Sequence, residues 1–388
     1  MVTCSFLGHS RIYDVGLYSG ILKAVGRVVK QAAEIEFLFD GQTQFHSLCL
    51  CAVLETRQRN PEKRVKITFI SRTDIEEQER RYPGVNGLPS CIFDKIIKLP
   101  ELTCPMDKAH IEWRRERREL VDRSDFLVCY EYPDLWDDGL EIYKHALRCP
   151  TLTVFNVAND KTARYIKDSI ARLETKQQYV MQAVKNGKSY GALSAEFGVS
   201  SGTIREKDRR ARRSLRLYAE ERYRQLDAGY KSPPVICAVV LPARMDEVDE
   251  RRFRQVVAFL TKYMGVDKFL VEHMNRHSQF VECLLEMRSA RGFRVELVTH
   301  YPDSIATTWG STTEGFVPPF DGVDNVDSEG KTLKSRYHRA LSSMLDRCGF
   351  AVCKGPMERD LAAMRMIKRH RKLKVFDLGV SQEHDSPK

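Results

Sequence analysis

The chain lacks any apolar run near the roughly 20 residues that a helix needs to cross a bilayer, so a helical membrane anchor within it is excluded. Its first residues, MVTCSFLGHS, lack a basic stretch followed by a long apolar one, and no secretory leader is expected. None of its 11 cysteines forms a Cys-x-x-Cys pair. That argues against a zinc ribbon or a dithiol redox motif, and no metal site is expected. Cys49 and Cys51 fall in an apolar helical run, and Cys4, Cys129, Cys237 and Cys353 in strand-like runs. They read as small buried hydrophobes. Free thiols in this number fit a reducing compartment, so a cytoplasmic protein is expected.

Positive charge is what the chain has in excess, and it is unevenly placed. The net charge is +10. Residues 161–232 carry 17 Lys and Arg against 8 Asp and Glu, a net of +9, which leaves +1 for all the rest. A basic middle between nearly neutral ends is the electrostatic footprint of a nucleic-acid binder.

The two ends repeat each other. VTCSFLG at 2–8 matches VICAVVLP at 235–242, which aligns Cys4 with Cys237. FLFDGQTQFHSLCLCAVLETRQR from Phe37 matches FLVEHMNRHSQFVECLLEMRSAR from Phe269. RVKITFISR at 64–72 matches RVELVTHYP at 294–302, and LVDRSDFLVCYEYP at 120–133 matches MLDRCGFAVCKGP at 344–356. Last, TLTVFNVA at 151–158 matches KLKVFDLG at 372–379. Five matches in one order imply a duplicated domain with a different module inserted between the copies. The expected divisions are 1–160, 161–232 and 233–380, with 381–388 a disordered tail.

Each copy alternates short apolar runs with amphipathic stretches. In the first, strands are expected near 2–8, 34–40, 64–72, 94–99, 126–132 and 151–157. Helices are expected near 14–31, 45–59, 108–123 and 139–148. This rhythm predicts an α/β fold: two Rossmann-like, doubly wound parallel-sheet domains with an all-α insert. The strand runs are nearly continuous rather than alternating, as strands buried on both faces are. The polar stretch 303–333 reads as a long loop. Ligands in such sheets bind at the carboxyl ends of the strands. In the first copy those ends carry Gly8, His9 and Ser10, then Asp40, Gly41, Gln42 and Thr43, then Glu131 through Gly139. Gly8 and Gly41 could let a phosphate approach the backbone, although a glycine after a strand more often just makes a turn.

VTCSFLGH, FLFDGQTQFHSLCLCAVLE, LVDRSDFLVCYEYPDLWDDGLEIYKHA and TLTVFNVA together resemble the SLOG superfamily. That Rossmann-like group contains the LOG nucleotide phosphoribohydrolases and the DprA and YpsA proteins, and the YpsA-like branch is the nearest in pattern. The resemblance covers residues 1–158, and 234–380 only through the repeat. It implies a nucleotide-type ligand at the strand ends, with Arg117 and Arg118 of WRRERR beside it. The chain departs from the family where catalysis would sit. Of the glycine cluster only Gly41 remains, Glu116-Arg117 stands for an Arg-Asn pair, and Asp137-Asp138-Gly139 replaces a Gly-Gly-Ala loop. Nucleotide hydrolysis is therefore not expected. Glu141 reads as the solvated first turn of a helix rather than a catalytic carboxylate.

The insert has its own punctuation. Residues 162–186 read as one helix ending at Gly187. A short helix follows, capped by Ser189. Gly198 allows a left-handed turn, Val199 packs inward, and Ser200 caps a long helix. Leu193, Phe197, Val199, Ile204, Ala211 and Leu215 are expected to form one small core. The segment FGVSSGTIREKDRRARRSLR resembles sigma-factor region 4, a helix-turn-helix. By that resemblance Ser201, Thr203, Arg205 and Glu206 would face the major groove of double-stranded DNA. Lys188, Ser200, Arg209, Arg210 and Arg213 would meet phosphates. A single module of this kind binds weakly, so a homodimer is expected. The function these features suggest is a DNA-binding regulator that senses a nucleotide-like small molecule. A nucleotide N-glycosidase and a DprA-like DNA-processing protein are the alternatives.

Overall fold

β-Branched and aromatic runs too apolar to alternate can be satisfied only inside a sheet covered on both faces. The computed structural model describes residues 1–9, 11–40, 43–71, 89, 92–98, 117–135, 139–228, 235–242, 244–272, 278–299, 320–326, 332–354, 361–379 and 383–385. Among these, the first copy supplies β1 (Val2–Gly8), β2 (Glu34–Phe39), β3 (Arg64–Ser71), β4 (Lys95–Lys98), β5 (Phe126–Tyr130) and β6 (Thr153–Asn156). The second supplies β7 (Val235–Val240), β8 (Val266–Glu272), β9 (Arg294–Thr299), β10 (Gly322–Asn325), β11 (Phe350–Cys353) and β12 (Lys374–Asp377). One sheet runs β4-β3-β2-β1-β5-β6 and the other β10-β9-β8-β7-β11-β12, both with parallel pairing. The fold is α/β, and the two sheets share one strand order. That order reverses between β1 and β5, and again between β7 and β11, the crevice where open α/β sheets take ligands. No helix among the described residues is long and apolar enough to cross a membrane.

Two expectations need correction. β10 lies inside 303–333, expected as a loop; its Gly-Val-Asp-Asn has little strand propensity, but the free edge of β9 pairs with it residue for residue. The rest of that stretch is largely outside the described residues. At the other end of the chain, Glu383–Asp385 forms β13 and pairs in parallel with Lys95–Ile97 of β4, where a disordered tail is expected. An exposed edge again supplies the partner.

Contacts divide the chain into two units. One comprises Met1–Cys4, Val25–Ala109 and Ser232–Lys388; the other comprises Ser5–Ala24 and His110–Lys231. In the first unit, α2 (Gln44–Arg59) is buried on all sides, from Phe45 through Thr56. This explains its apolar run at 48–54. It packs on β12 and on the helix Glu247–Met264 of the second copy. Cys51 Sγ lies 3.1 Å from Met264 Sδ, and Gln58 Nε2 donates to the Ile367 carbonyl at 2.7 Å. Glu55, buried at the end of α2, pairs with Arg59 and, at 3.3 Å, with Lys374. Burial pushes the Cys51 thiol up to about 12, and Cys49, Cys129, Cys237 and Cys353 upward as well. These thiols are inert packing groups.

The second copy fills its own switch point. Lys354, which follows β11, reaches Asp249 at 2.5 Å, and Asp249 is 4% exposed. Asp249 also closes a capping box with Asp246 at the start of Glu247–Met264. Lys354→Met strands a buried carboxylate and is expected to cost about 2 kcal/mol in chemical denaturation. Replacing both residues with apolar ones should cost less than the sum of the single changes. Strict additivity would mean that the pair is not coupled.

The second unit holds the inserted helices. The stretch expected as one helix is broken. Asp160–Ser169 (α4, after α1 at Leu17–Val29 and α3 at Leu140–Ala146) passes into a 3₁₀ turn at Ile170–Arg172, and α5 begins at Thr175 and ends at Lys185. Leu173 is extended and buried there. Gln178 Nε2 donates to the Ala171 and Leu173 carbonyls, which the break would otherwise orphan. Ser189 caps α6 (Tyr190–Phe197) by accepting from Ala192 N at 3.1 Å, and Gly198 closes it at φ 62°. Ser200 caps the long α7 (Ser201–Ala228), accepting from Thr203 N at 3.1 Å. Val180, Leu193 and Ile204 form the core of these three helices, with Phe197 and Val199 against it. Ala211 and Leu215, expected in that core, are fully buried but lie outside it, further along α7.

Candidate functional site

The site sits in the second unit, at the carboxyl ends of β1 and β5. Here the chain leaves β1 into His9 and leaves β5 into Glu131-Tyr132, and both strand extensions are buried. His9 N donates to the Tyr130 carbonyl at 3.2 Å. Tyr132 N donates to His9 Nε2 at 2.8 Å, so that nitrogen is an acceptor and the ring proton sits on Nδ1. The 3.8 Å approach of Glu131 Oε1 to the same nitrogen is too long for a hydrogen bond. The His9 ring stacks on Tyr132 at 5.9 Å and meets Tyr13 and Tyr130 edge-on.

Behind this layer lies Asp14. Tyr132 Oη donates to Asp14 Oδ2 at 2.5 Å, and Asn159 N donates to the same oxygen at 3.1 Å. Burial, reinforced by the Asp14 carboxylate, drives both the Tyr130 and Tyr132 phenols far above their usual range, so both stay protonated. Asn159 in turn caps α4, the first inserted helix. The network therefore ties β1, β5 and the start of the insert together. Asp14→Ala should lower stability in urea by about 2 kcal/mol, because it removes the carboxylate acceptor of a buried hydroxyl and a backbone amide, which are then left with each other's residue as partner. Asp14→Asn keeps an acceptor and should cost less. Equal losses would mean that the volume, not the hydrogen bonds, matters.

The insert is tethered over these strand ends. Arg11 pairs with Glu220 of α7. Arg216 of the same helix donates through Nε and Nη2 to the Leu135 carbonyl at 3.3 and 3.2 Å, and Lys185 meets Asp134 at 2.5 Å. Between α7 and the end of β1 is an open cleft of about 830 Å³. His9, Arg11 and Tyr13 line one side; Arg205, Arg209, Arg213 and Arg216 line the other. Its lining carries seven arginines against three carboxylates, Glu206, Asp208 and Glu220. Asp208 is buried but compensated. Arg212 Nε donates to it at 3.0 Å and Tyr190 Oη at 2.9 Å. Burial and that bond push the Tyr190 phenol up to about 12. Arg205 lies over the Tyr190 ring at 5.5 Å.

The sequence-derived site residues are distributed as follows. His9 lines the cleft, and Glu131 is buried beside it. Gly8 ends β1 and Gly139 precedes α3, with no side-chain cap there. Ser10, Gly41 and Gln42 lie outside the described residues. Arg117 is half-buried, Arg118 is exposed, and neither lines the cleft. Asp40 and Thr43 serve α2: Thr43 caps it and binds His46 Nδ1 at 2.8 Å, while Asp40 faces His46 Nε2 at 3.5 Å. On the insert, Ser201, Thr203, Arg205, Arg209, Arg210 and Arg213 are exposed. Lys188 is exposed but engaged by Glu196, and Ser200 is spent on its cap. Glu206 bridges Arg209 at 2.7 Å and Arg210 at 2.9 Å, which holds its carboxyl below the usual range.

Sequence reasoning missed Arg11, Tyr13, Asp14, Tyr132 and Glu220, although the clustering of Tyr130 and Tyr132 after a strand was a signal. It also missed Asp122, His145 and Cys149, whose ligand atoms lie within 4.8 Å of one another, a grouping that could hold a metal ion. In this structure they bond to each other, Asp122 to His145 at 2.7 Å and Cys149 to Asp122 at 3.4 Å.

No protein-family model matches the chain, and no curated protein matches it. Among solved structures, it is similar to the N-terminal part of the protein BF1531 from Bacteroides fragilis, described as containing a phosphatase domain complexed with Mg. The identity is 12% over 91% of this chain and 93% of that one, with a TM-score of 0.19, a likeness too low to bear on function.

Proposed function

We propose that this chain is a DNA-binding transcriptional regulator, with α6 and α7 as a helix-turn-helix and the first Rossmann-like copy as the receptor of a nucleotide-type ligand. The observation that carries this reading is the exposed face of α7. Its first turn offers Ser201 and Thr203, and the following turns offer Arg205, Arg209, Arg210 and Arg213. Small hydroxyls at the tip with arginines behind them suit base contact followed by phosphate contact. The helix is held by its own core and by tethers at Arg216 and Glu220, so the face is presented rigidly. The protein acts in the cytoplasm and as a homodimer, which places two such helices on paired half-sites.

The deciding experiment is selection of bound sequences from a random duplex pool with the full-length protein. A recovered motif whose preference is lost in Thr203→Ala and Arg205→Ala supports the reading. Preference for single strands would favour DNA processing instead. Release of free base from purine nucleoside monophosphates would favour a nucleotide N-glycosidase.

A further inference from the structure

We infer that the cleft between α7 and the end of β1 binds a nucleoside di- or triphosphate, and that this ligand and duplex DNA exclude each other because they use the same arginines. The second half rests on the DNA-binding reading above, and the first rests on and deepens the receptor reading of the same strand ends.

Several observations converge. The cleft lies at the switch point beside β1 and β5, where the backbone of an open α/β sheet leaves room for a ligand. Its volume, about 830 Å³, is within the range of small-ligand pockets and far too small for a duplex. Its lining is dominated by guanidinium groups, the side chain best matched to phosphate oxygens. Arg213, fully in the cleft wall, pairs with no carboxylate among the described residues, and Arg205 is held only over the Tyr190 ring. Arg205, Arg209 and Arg216 follow one another at intervals of four and seven residues, along one face of α7. They span about 16 Å of helix, longer than a single phosphate needs and suited to a phosphate chain carrying a nucleoside. At the corresponding place in the second copy, Lys354 after β11 pairs with Asp249.

Arg209 and Arg213 are also residues that the DNA-binding reading places on phosphates, and Arg205 is one that it places on base edges. An occupied cleft withdraws them from the duplex, and a bound duplex withdraws them from the ligand. Competition of this kind needs no conformational change; it is coupling through shared groups.

The test uses the full chain with ATP, GTP, AMP and inorganic tripolyphosphate as probes, read by titration calorimetry and by displacement of a fluorescent duplex. Wild-type protein should bind at least one nucleoside triphosphate at least tenfold more tightly than AMP, and that nucleotide should displace the duplex. Arg11→Ala removes a cleft arginine that is not on α7 and whose side chain is 65% exposed, so the fold should survive. It should weaken the nucleotide about tenfold while the duplex still binds. Tripolyphosphate binding as tightly as the nucleotides would replace the nucleoside phosphate with a simple polyphosphate and overturn the ligand assignment. No nucleotide binding alongside normal duplex binding overturns the cleft and leaves the DNA reading intact. Nucleotide binding that Arg11→Ala does not weaken overturns the cleft as its site, and nucleotide binding that fails to displace the duplex overturns the shared-arginine mechanism. Nucleotide binding without any duplex binding leaves the cleft standing and removes the DNA reading together with the exclusion.

Discussion

Raising monovalent salt from about 50 to 200 mM should weaken duplex binding by about 150-fold, because neutralising four phosphates gives a slope of about −3.6 in log affinity against log salt. The four are assigned to Lys188, Arg209, Arg210 and Arg213, all exposed, with Arg205 left to base edges. Each arginine-to-alanine change should flatten the slope by about 0.9 and lower affinity on every sequence alike. Arg209→Ala and Arg210→Ala have a further consequence. Both arginines are held by Glu206, whose carboxyl they keep ionised, so removing either leaves the acid nearer the phosphates. Glu206→Gln should therefore strengthen non-specific binding. Fluorescence anisotropy across a salt series checks all of these. A slope near zero, or one that the arginine changes leave untouched, would place the contact elsewhere.

Leu193→Ala should destabilise α5, α6 and the start of α7 by about 3 kcal/mol. Leu193 is fully buried, and only Val180 and Ile204 share the centre of its cluster. A core of three residues has little capacity to close around a cavity. The tethers at Arg11 and Arg216 lie beyond this cluster and should persist, whereas Lys185 is carried by α5. The loss is thus expected to be local. Hydrogen exchange should show amides of 175–204 opening faster while β1 and β5 keep their protection. Uniform loss of protection in both would mean that the helices and the strands they sit over unfold as one cooperative unit. Specific DNA binding should fall with the local stability, since the turn at Gly198 orients the exposed face.

Much of this arrangement was legible locally. The doubly buried strands announced themselves as continuous apolar runs, and all six strands expected in the first copy match within two residues at each end. Ser189, Gly198 and Ser200 each act through a neighbour three or four residues away, so their roles follow from spacing. The five repeated segments foretold that both sheets share one order, since like sequences with like connections wind alike. Other elements were hidden because their partner is remote. Gly322–Asn325 is a strand only because β9 offers it an edge. The break after Ser169 forms where buried Leu173 leaves the helical path, which no helix-breaking residue marks. α2 has no polar face because both copies cover it, which its own periodicity cannot report.

By itself, then, the chain's order of residues determined the α/β rhythm, the duplication, the helix caps and the concentration of positive charge on one segment. These depend on propensities and hydrogen bonds that act over a few residues. Which groups meet in the cleft was decided only by tertiary structure. Arg11 and Glu220 are 209 positions apart, and Asp14 and Tyr132 are 118 apart. The free energy of bringing such groups together comes from burying the sheets and helices that carry them. Their meeting is a consequence of the packed core, and no pattern near either residue encodes it.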